Sequence, residues 1–145
     1  MPGRLPHPWE GYLDEARRIL RPGDRLVVAD MFRAGRPLGA DEDATMRGWL
    51  AGWAVPDLAT PDEFVETARR AGFSAVRVED ATPNVWPSSR RLYRRAQAGY
   101  PTAVLLRALG LLGDDRCADV RSAMLQYETL RRGPWSYGIF TASVA

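Results

Sequence analysis

The chain has 145 residues, 46% of them apolar, enough for one domain with a buried core. Its formal charge is +2 from 20 basic and 18 acidic side chains, and every basic one is arginine. The arginine pairs at 17–18, 69–70, 90–91, 94–95 and 131–132 stand beside Asp and Glu along the chain, the pattern of solvated helix faces rather than of a phosphate-binding stripe. The single Cys117 excludes an internal disulfide and a thiolate metal cluster, so no metal is expected.

Residues 1–8 hold no apolar stretch of signal-peptide kind. The most hydrophobic run, Ala103 to Leu112, is half of the roughly 20 residues that cross a bilayer and contains Arg107. A cytoplasmic protein with neither a nucleic-acid nor a membrane partner is the expectation.

From Trp9 on, Tyr12, Leu13, Ala16, Ile19 and Leu20 recur at helical spacing until Pro22-Gly23. Arg25 to Asp30 is a short β-branched run without alternation, and predicts a strand buried on both faces. Residues 33–40 read as a loop. Asp41 to Ala54 then reads as a helix with Met46, Trp49, Leu50 and Trp53 on one side, ended by Pro56. Thr60-Pro61-Asp62-Glu63 is a capping box with proline in the first turn, and its helix runs to Ala71 with Gly72 as the cap. A second strand follows at Ala75 to Glu79 or Asp80.

Pro83 to Gly133 predicts a helical insertion with helices at about 88–98, 102–112 and 115–131, separated by Gly99, Pro101, Gly110 and Gly113. Tyr137 to Val144 predicts a third strand. Ala103 to Leu112 is apolar on nearly every face and is expected to be buried on several sides, under other helices or in a subunit contact.

The segment from Glu15 to Asp30, E-A-R-R-I-L-R-P-G-D-R-L-V-V-A-D, resembles the one that carries strand five in class I S-adenosylmethionine-dependent methyltransferases. Leu58 to Phe64, followed by Ala71-Gly72-Phe73, is similar to that family's next helix, where an aromatic residue packs inward ahead of strand six. Asp80-Ala81-Thr82-Pro83-Asn84-Val85-Trp86-Pro87-Ser88 resembles the junction found in small-molecule members, and Tyr137 to Ala142 fits strand seven. The resemblance covers nearly the whole chain in order. It implies an α/β fold: a partial Rossmann-like methyltransferase sheet of strands equivalent to five, six and seven, the last antiparallel, with helices on both faces and a helical substrate cap. The chain is then a single truncated domain over 1–145, with 33–58 and 83–133 roofing the substrate.

The family's G-x-G-x-G turn has no counterpart, since no two glycines are separated by one residue. The resemblance thus implies S-adenosylmethionine as the family's cofactor, but not held by this chain alone, with Arg4 and Leu5 at most peripheral to it. Arg4-Leu5-Pro6-His7-Pro8-Trp9 is similar to the stretch after strand four, with Arg4 at the family's frequent His and His7 at its Asp. His7, the only imidazole, is a candidate general base, although a lone His in a proline-rich segment is more often a polar surface residue.

The segments that roof the pocket in this family hold Met31, Phe32, Met46, Trp49, Trp53, Trp86, Tyr93, Tyr100, Met124 and Tyr127 here. Aromatics and thioethers suit an apolar polyketide- or terpenoid-sized natural product; the same residues at helical spacing also suit a core. Asp30 ends its strand at the rim where open α/β sheets bind ligands, or caps the turn that follows. Strand Leu26–Ala29 would normally pair with strand four, so an open edge is expected there, covered by a complementary N-terminal half or by a second copy in a homo-oligomer. Three functions fit: the substrate-binding half of a natural-product methyltransferase active with a partner, a non-catalytic subunit stabilising a partner, and a cofactor-independent cyclase on the same scaffold.

Overall fold

Gly23, at φ +90°, turns the first helix into the first strand, with the Asp24 carboxylate accepting the Arg21 amide at 2.8 Å. The computed structural model describes residues 8–144. Its elements are α1 (Pro8–Ile19), β1 (Arg25–Arg33), α2 (Ala40–Gly52), α3 (Pro61–Arg70), β2 (Phe73–Asp80), α4 (Thr82–Ala108), α5 (Asp114–Arg132) and β3 (Trp135–Val144). The strands form a sheet of order β1-β3-β2, with β3 antiparallel to both neighbours, so that Val28 and Val78 each stand opposite Phe140. This is the fold class and strand arrangement expected from the sequence.

The capping box forms as read. The Thr60 hydroxyl accepts the Glu63 amide at 3.2 Å, and the Glu63 carboxylate accepts the Thr60 amide at 2.9 Å. This fixes α3 so that Phe64 points into the sheet, its ring 4.4 Å from Phe140, 4.8 Å from Trp9 and 5.6 Å from Phe32. Leu13 and Ala16 of α1 and Ala68 of α3 join Leu26, Val28, Ala142 and Val144 in the same core. Gly138 in β3 lets the Phe32 ring lie across the strand; a Cβ there would stand 2.9 Å from it.

Four expectations need correction. Strand β1 alternates: Leu26 and Val28 are buried but Val27 is 56% exposed, because α1 and α3 cover the same face of the sheet. It also runs on to Arg33, where the Ala34 amide donates to Pro134 and the Arg33 amide to Ala59. The insertion is two helices, not three. Helix α4 continues through Pro87, Gly99 and Pro101 for 27 residues; each of these prolines removes one backbone donor without ending the helix, which packs against α5. Finally, Ala103 to Leu112 is not buried on several sides by this chain's own helices: Ala103 is buried and Leu106 and Leu112 are half-buried, but the other leucines face outward. Leu105 is 59%, Leu109 62% and Leu111 72% exposed at the outer tip of the α4–α5 hairpin, and no described helix lies over them.

Candidate functional site

The carboxyl end of β1 meets the amino end of β3 beneath α2, α4 and α5. Here a second apolar cluster forms from Met46, Trp49, Leu50, Leu58, Leu130 and Trp135. Half-buried Met31, Val85, Trp86 and Tyr137 pack on its margin.

The Asp80-Ala81-Thr82 junction aims α4 at this place. The Asp80 carboxylate accepts the Thr82 amide at 2.9 Å, the Thr82 hydroxyl accepts the Tyr137 amide at 2.9 Å, and the Ala81 amide donates to the Tyr137 carbonyl at 2.8 Å. Val85 and Trp86 therefore leave the sheet beside Tyr137. Across from them, the Trp135 indole donates to the Thr129 hydroxyl at 2.9 Å, which in turn donates to the Leu125 carbonyl at 2.8 Å. Trp135 ties α5 to β3 in this way and supports the Trp49 ring at 5.0 Å.

The residues singled out in the sequence do not all come together. Trp86, Tyr93 and Tyr127 come together, with Tyr127 5.6 Å from Trp86 and 4.9 Å from Tyr93, whose hydroxyl accepts from Gln97 at 3.1 Å. Met31 stands at the same margin, half-buried. Met46 and Trp49 are fully buried within the cluster, and Phe32, 1% exposed, points to the opposite face and into the α1–α3 core. Trp53 is half-buried beside Trp49 and lines an outer groove with Leu92, Ala96 and Val120. Tyr100 and Met124 are half-buried on α4 and α5, outside the ring contacts just described. His7, Arg4 and Leu5 lie outside the described residues. Asp30 sits within β1, and its carboxylate accepts the Met31 amide at 2.7 Å, so it caps the next residue.

Val85, Trp135 and Tyr137 were not legible as site residues. Their signal was the D-x-T junction, whose hydrogen bonds fix where α4 begins. A polar corner adjoins the cluster: Arg33 donates to Asp43 at 2.9 Å and to Asp57 at 3.3 Å, at the mouth of a cavity of about 520 Å³ lined also by Met46, Leu50 and Val55. Nearby, Arg36 grips both oxygens of Glu42, at 2.8 and 2.9 Å. That guanidinium, then the Gly39 amide, holds the Glu42 carboxyl at about 2.

These residues do not fit the family's cofactor. Among the described residues no strand leads through a paired-glycine turn into a helix: β1 ends in the loop 34–39, and β2 passes to α4 through Ala81 alone. No group of metal-ligating side chains gathers among the described residues either.

No family model matches the chain. It is 32% identical over 84 residues to the 27-O-demethylrifamycin SV methyltransferase of Amycolatopsis mediterranei, a match over 58% of this chain and 30% of that protein. It is 32% identical over 78 residues to the O-methyltransferase cnsE of Penicillium expansum, over 54% of this chain and 27% of that one. The matches thus span less than a third of either curated relative.

Among solved structures, mycolic acid cyclopropane synthase CmaA1 complexed with S-adenosylhomocysteine superposes with a TM-score of 0.72 at 16% identity, over 93% of this chain and 49% of that one. Cyclopropane synthase MmaA2 from Mycobacterium tuberculosis gives 0.70 at 15%, over 92% and 49%. At such identities the likeness is one of fold, and it takes in nearly all of this chain and half of each neighbour. With β3 antiparallel between β1 and β2, and with sequence matches to two methyltransferases, the chain is similar in strand order and in sequence to part of a class I S-adenosylmethionine-dependent methyltransferase domain.

Proposed function

We propose that this chain is the substrate-facing half of a small-molecule, natural-product methyltransferase, completed along the free edge of β1 by a further polypeptide segment that holds the cofactor. The observation that carries the reading is that edge. Bonds of Asp24 with Val144 and of Ala34 with Pro134 place the even-numbered residues of β1 in hydrogen-bonded pairs with β3. Val27 and Ala29 therefore turn their amides and carbonyls outward, on the strand that resembles the family's strand five. Two other outward amides are already taken, Met31 by Asp30 and Arg33 by Ala59, so the edge is open at its first half and closed at its second. A parallel strand added there would also bring a covering segment over exposed Val27.

In this reading the chain's own residues bind and orient the methyl acceptor. Met31, Trp86, Tyr127 and Tyr137 present an apolar wall with tyrosyl hydroxyls, which excludes water and holds an acceptor oxygen, nitrogen or carbon toward the segment that carries the donor. Positioning is the main requirement of such a transfer, and little acid–base chemistry is needed from the protein. His7 is the candidate base for an acceptor that must lose a proton. The two curated relatives that act as O-methyltransferases support an oxygen acceptor.

The test is coexpression with a segment bearing a G-x-G-x-G turn, taken from the adjoining coding sequence. A one-to-one complex that transfers labelled methyl groups to polyketide or terpenoid alcohols is expected, with Trp86→Ala and Tyr127→Ala raising KM more than they lower kcat. A pair that forms no complex, or one that transfers methyl groups with KM unchanged in both variants, overturns the reading.

A further inference from the structure

Helix α4 separates charge from the rest of the chain. It carries five of the 20 basic residues and none of the 18 acidic ones, a formal +5, so the remaining residues stand at 15 against 18, a formal −3. Ser89, Ala96 and Ala103, seven residues apart, are buried and mark the stripe that faces inward. Two further seven-residue lines run along the outer side: Arg91, Ala98 and Leu105, and Arg95, Thr102 and Leu109. Arg90 and Arg94 adjoin them. All four arginines are exposed, and none pairs with a carboxylate among the described residues. Beyond them the same side becomes apolar, with Leu105, Leu109 and then Leu111 in the turn each more than half exposed.

The outer face is therefore basic in its first half and apolar in its second, and it ends on a projecting tip. We infer that this face docks on an anionic lipid bilayer, with Arg90, Arg91, Arg94 and Arg95 at the phosphates and Leu105, Leu109 and Leu111 at the acyl boundary. A second copy is disfavoured as the occupant, because a symmetric contact would set two +5 helices against each other. A nucleic-acid backbone would satisfy the arginines but leave the leucines in water. An interface that is anionic outside and apolar within answers both halves of the face. The contact is peripheral, since no described helix is long and apolar enough to cross a membrane.

Flotation of the purified chain with vesicles of phosphatidylcholine, alone and mixed with phosphatidylglycerol, tests the inference. The chain is expected to float with the mixed vesicles and not with phosphatidylcholine alone, and salt is expected to release it. Arg91→Gln with Arg94→Gln lowers partition by roughly twentyfold, about fivefold for each charge removed. Leu105→Ser with Leu109→Ser lowers it while the salt dependence persists. All four positions are exposed, so circular dichroism and thermal unfolding should match the parent chain. Failure to float with mixed vesicles at low salt, equal flotation with both compositions, or tighter binding to duplex DNA than to mixed vesicles would each overturn the inference. So would a dimer in light scattering that Leu105→Ser dissociates.

Discussion

Phe64 shows how far a single side chain can be read and what it holds. It was legible as an inward aromatic from the motif ahead of strand six, and it is 1% exposed between three other aromatic rings, Trp9, Phe32 and Phe140. Phe64→Ala should cost about 3–5 kcal/mol of stability, measured by urea unfolding, because the cavity adds to the lost transfer energy. Gly52 was not legible in this way. A Cβ there would stand 1.8 Å from the Ser122 Oγ and 3.2 Å from the Ala118 carbonyl, a contact between α2 and α5 that no local pattern announces. Gly52→Ala is expected to destabilise the chain by roughly 1–3 kcal/mol through overpacking, with a lowered thermal midpoint as the readout.

Glu42 gives the residue scale a pH dependence. Its folded-state pKa is lowered from 4.5 to about 2 by Arg36 and the Gly39 amide. Its contribution is therefore complete above the ordinary carboxyl range and is lost as pH falls from about 4.5 through 2. Carboxyl NMR should show Glu42 titrating near 2, and in Arg36→Gln moving up toward 4.5. An unchanged titration in that variant would refute the assigned cause.

At the scale of elements, α1, α3 and the three strands followed from local patterns, since turn residues, a capping box and β-branched runs act over a few neighbours. The α4 helix did not follow. The signals at Gly99 and Pro101 predicted a break, but the packing of α4 on α5 outweighs the loss of one donor at each proline of the helix interior, Pro87 and Pro101. The aromatic grouping of Trp86, Tyr93 and Tyr127 depends on that continuous helix, so its residues could be named from sequence while their contacts could not.

The D-x-T junction makes a further element-scale prediction. Thr82→Ala leaves the Tyr137 amide without its acceptor, which should cost about 1–3 kcal/mol and loosen the start of α4, seen as faster amide exchange at Tyr137. Equal exchange in parent and variant would show that the junction does not hold the helix.

Among the described residues the molecule is an α/β unit whose sheet has one face covered by α1 and α3, and whose edge strand β1 is unpaired on its outer side at Val27 and Ala29. The sequence led to an open edge because strand five was recognised and strand four was not found. That Val27 is exposed on the sheet's other face could only come from the packing of both helices on one side. The face of α4 was likewise hidden: the pairs 90–91 and 94–95 look like two of five spread along the chain, and only the long helix sets these two on one side with the leucines.

The central claim is that this chain supplies the acceptor side of a methyl transfer and not the donor side. Titration calorimetry with S-adenosylmethionine tests it most directly. The chain alone should give no binding heat, while the chain with its glycine-turn segment should bind one equivalent and should protect the Val27 and Ala29 amides from exchange. One-to-one binding of S-adenosylmethionine by the chain alone would contradict the account.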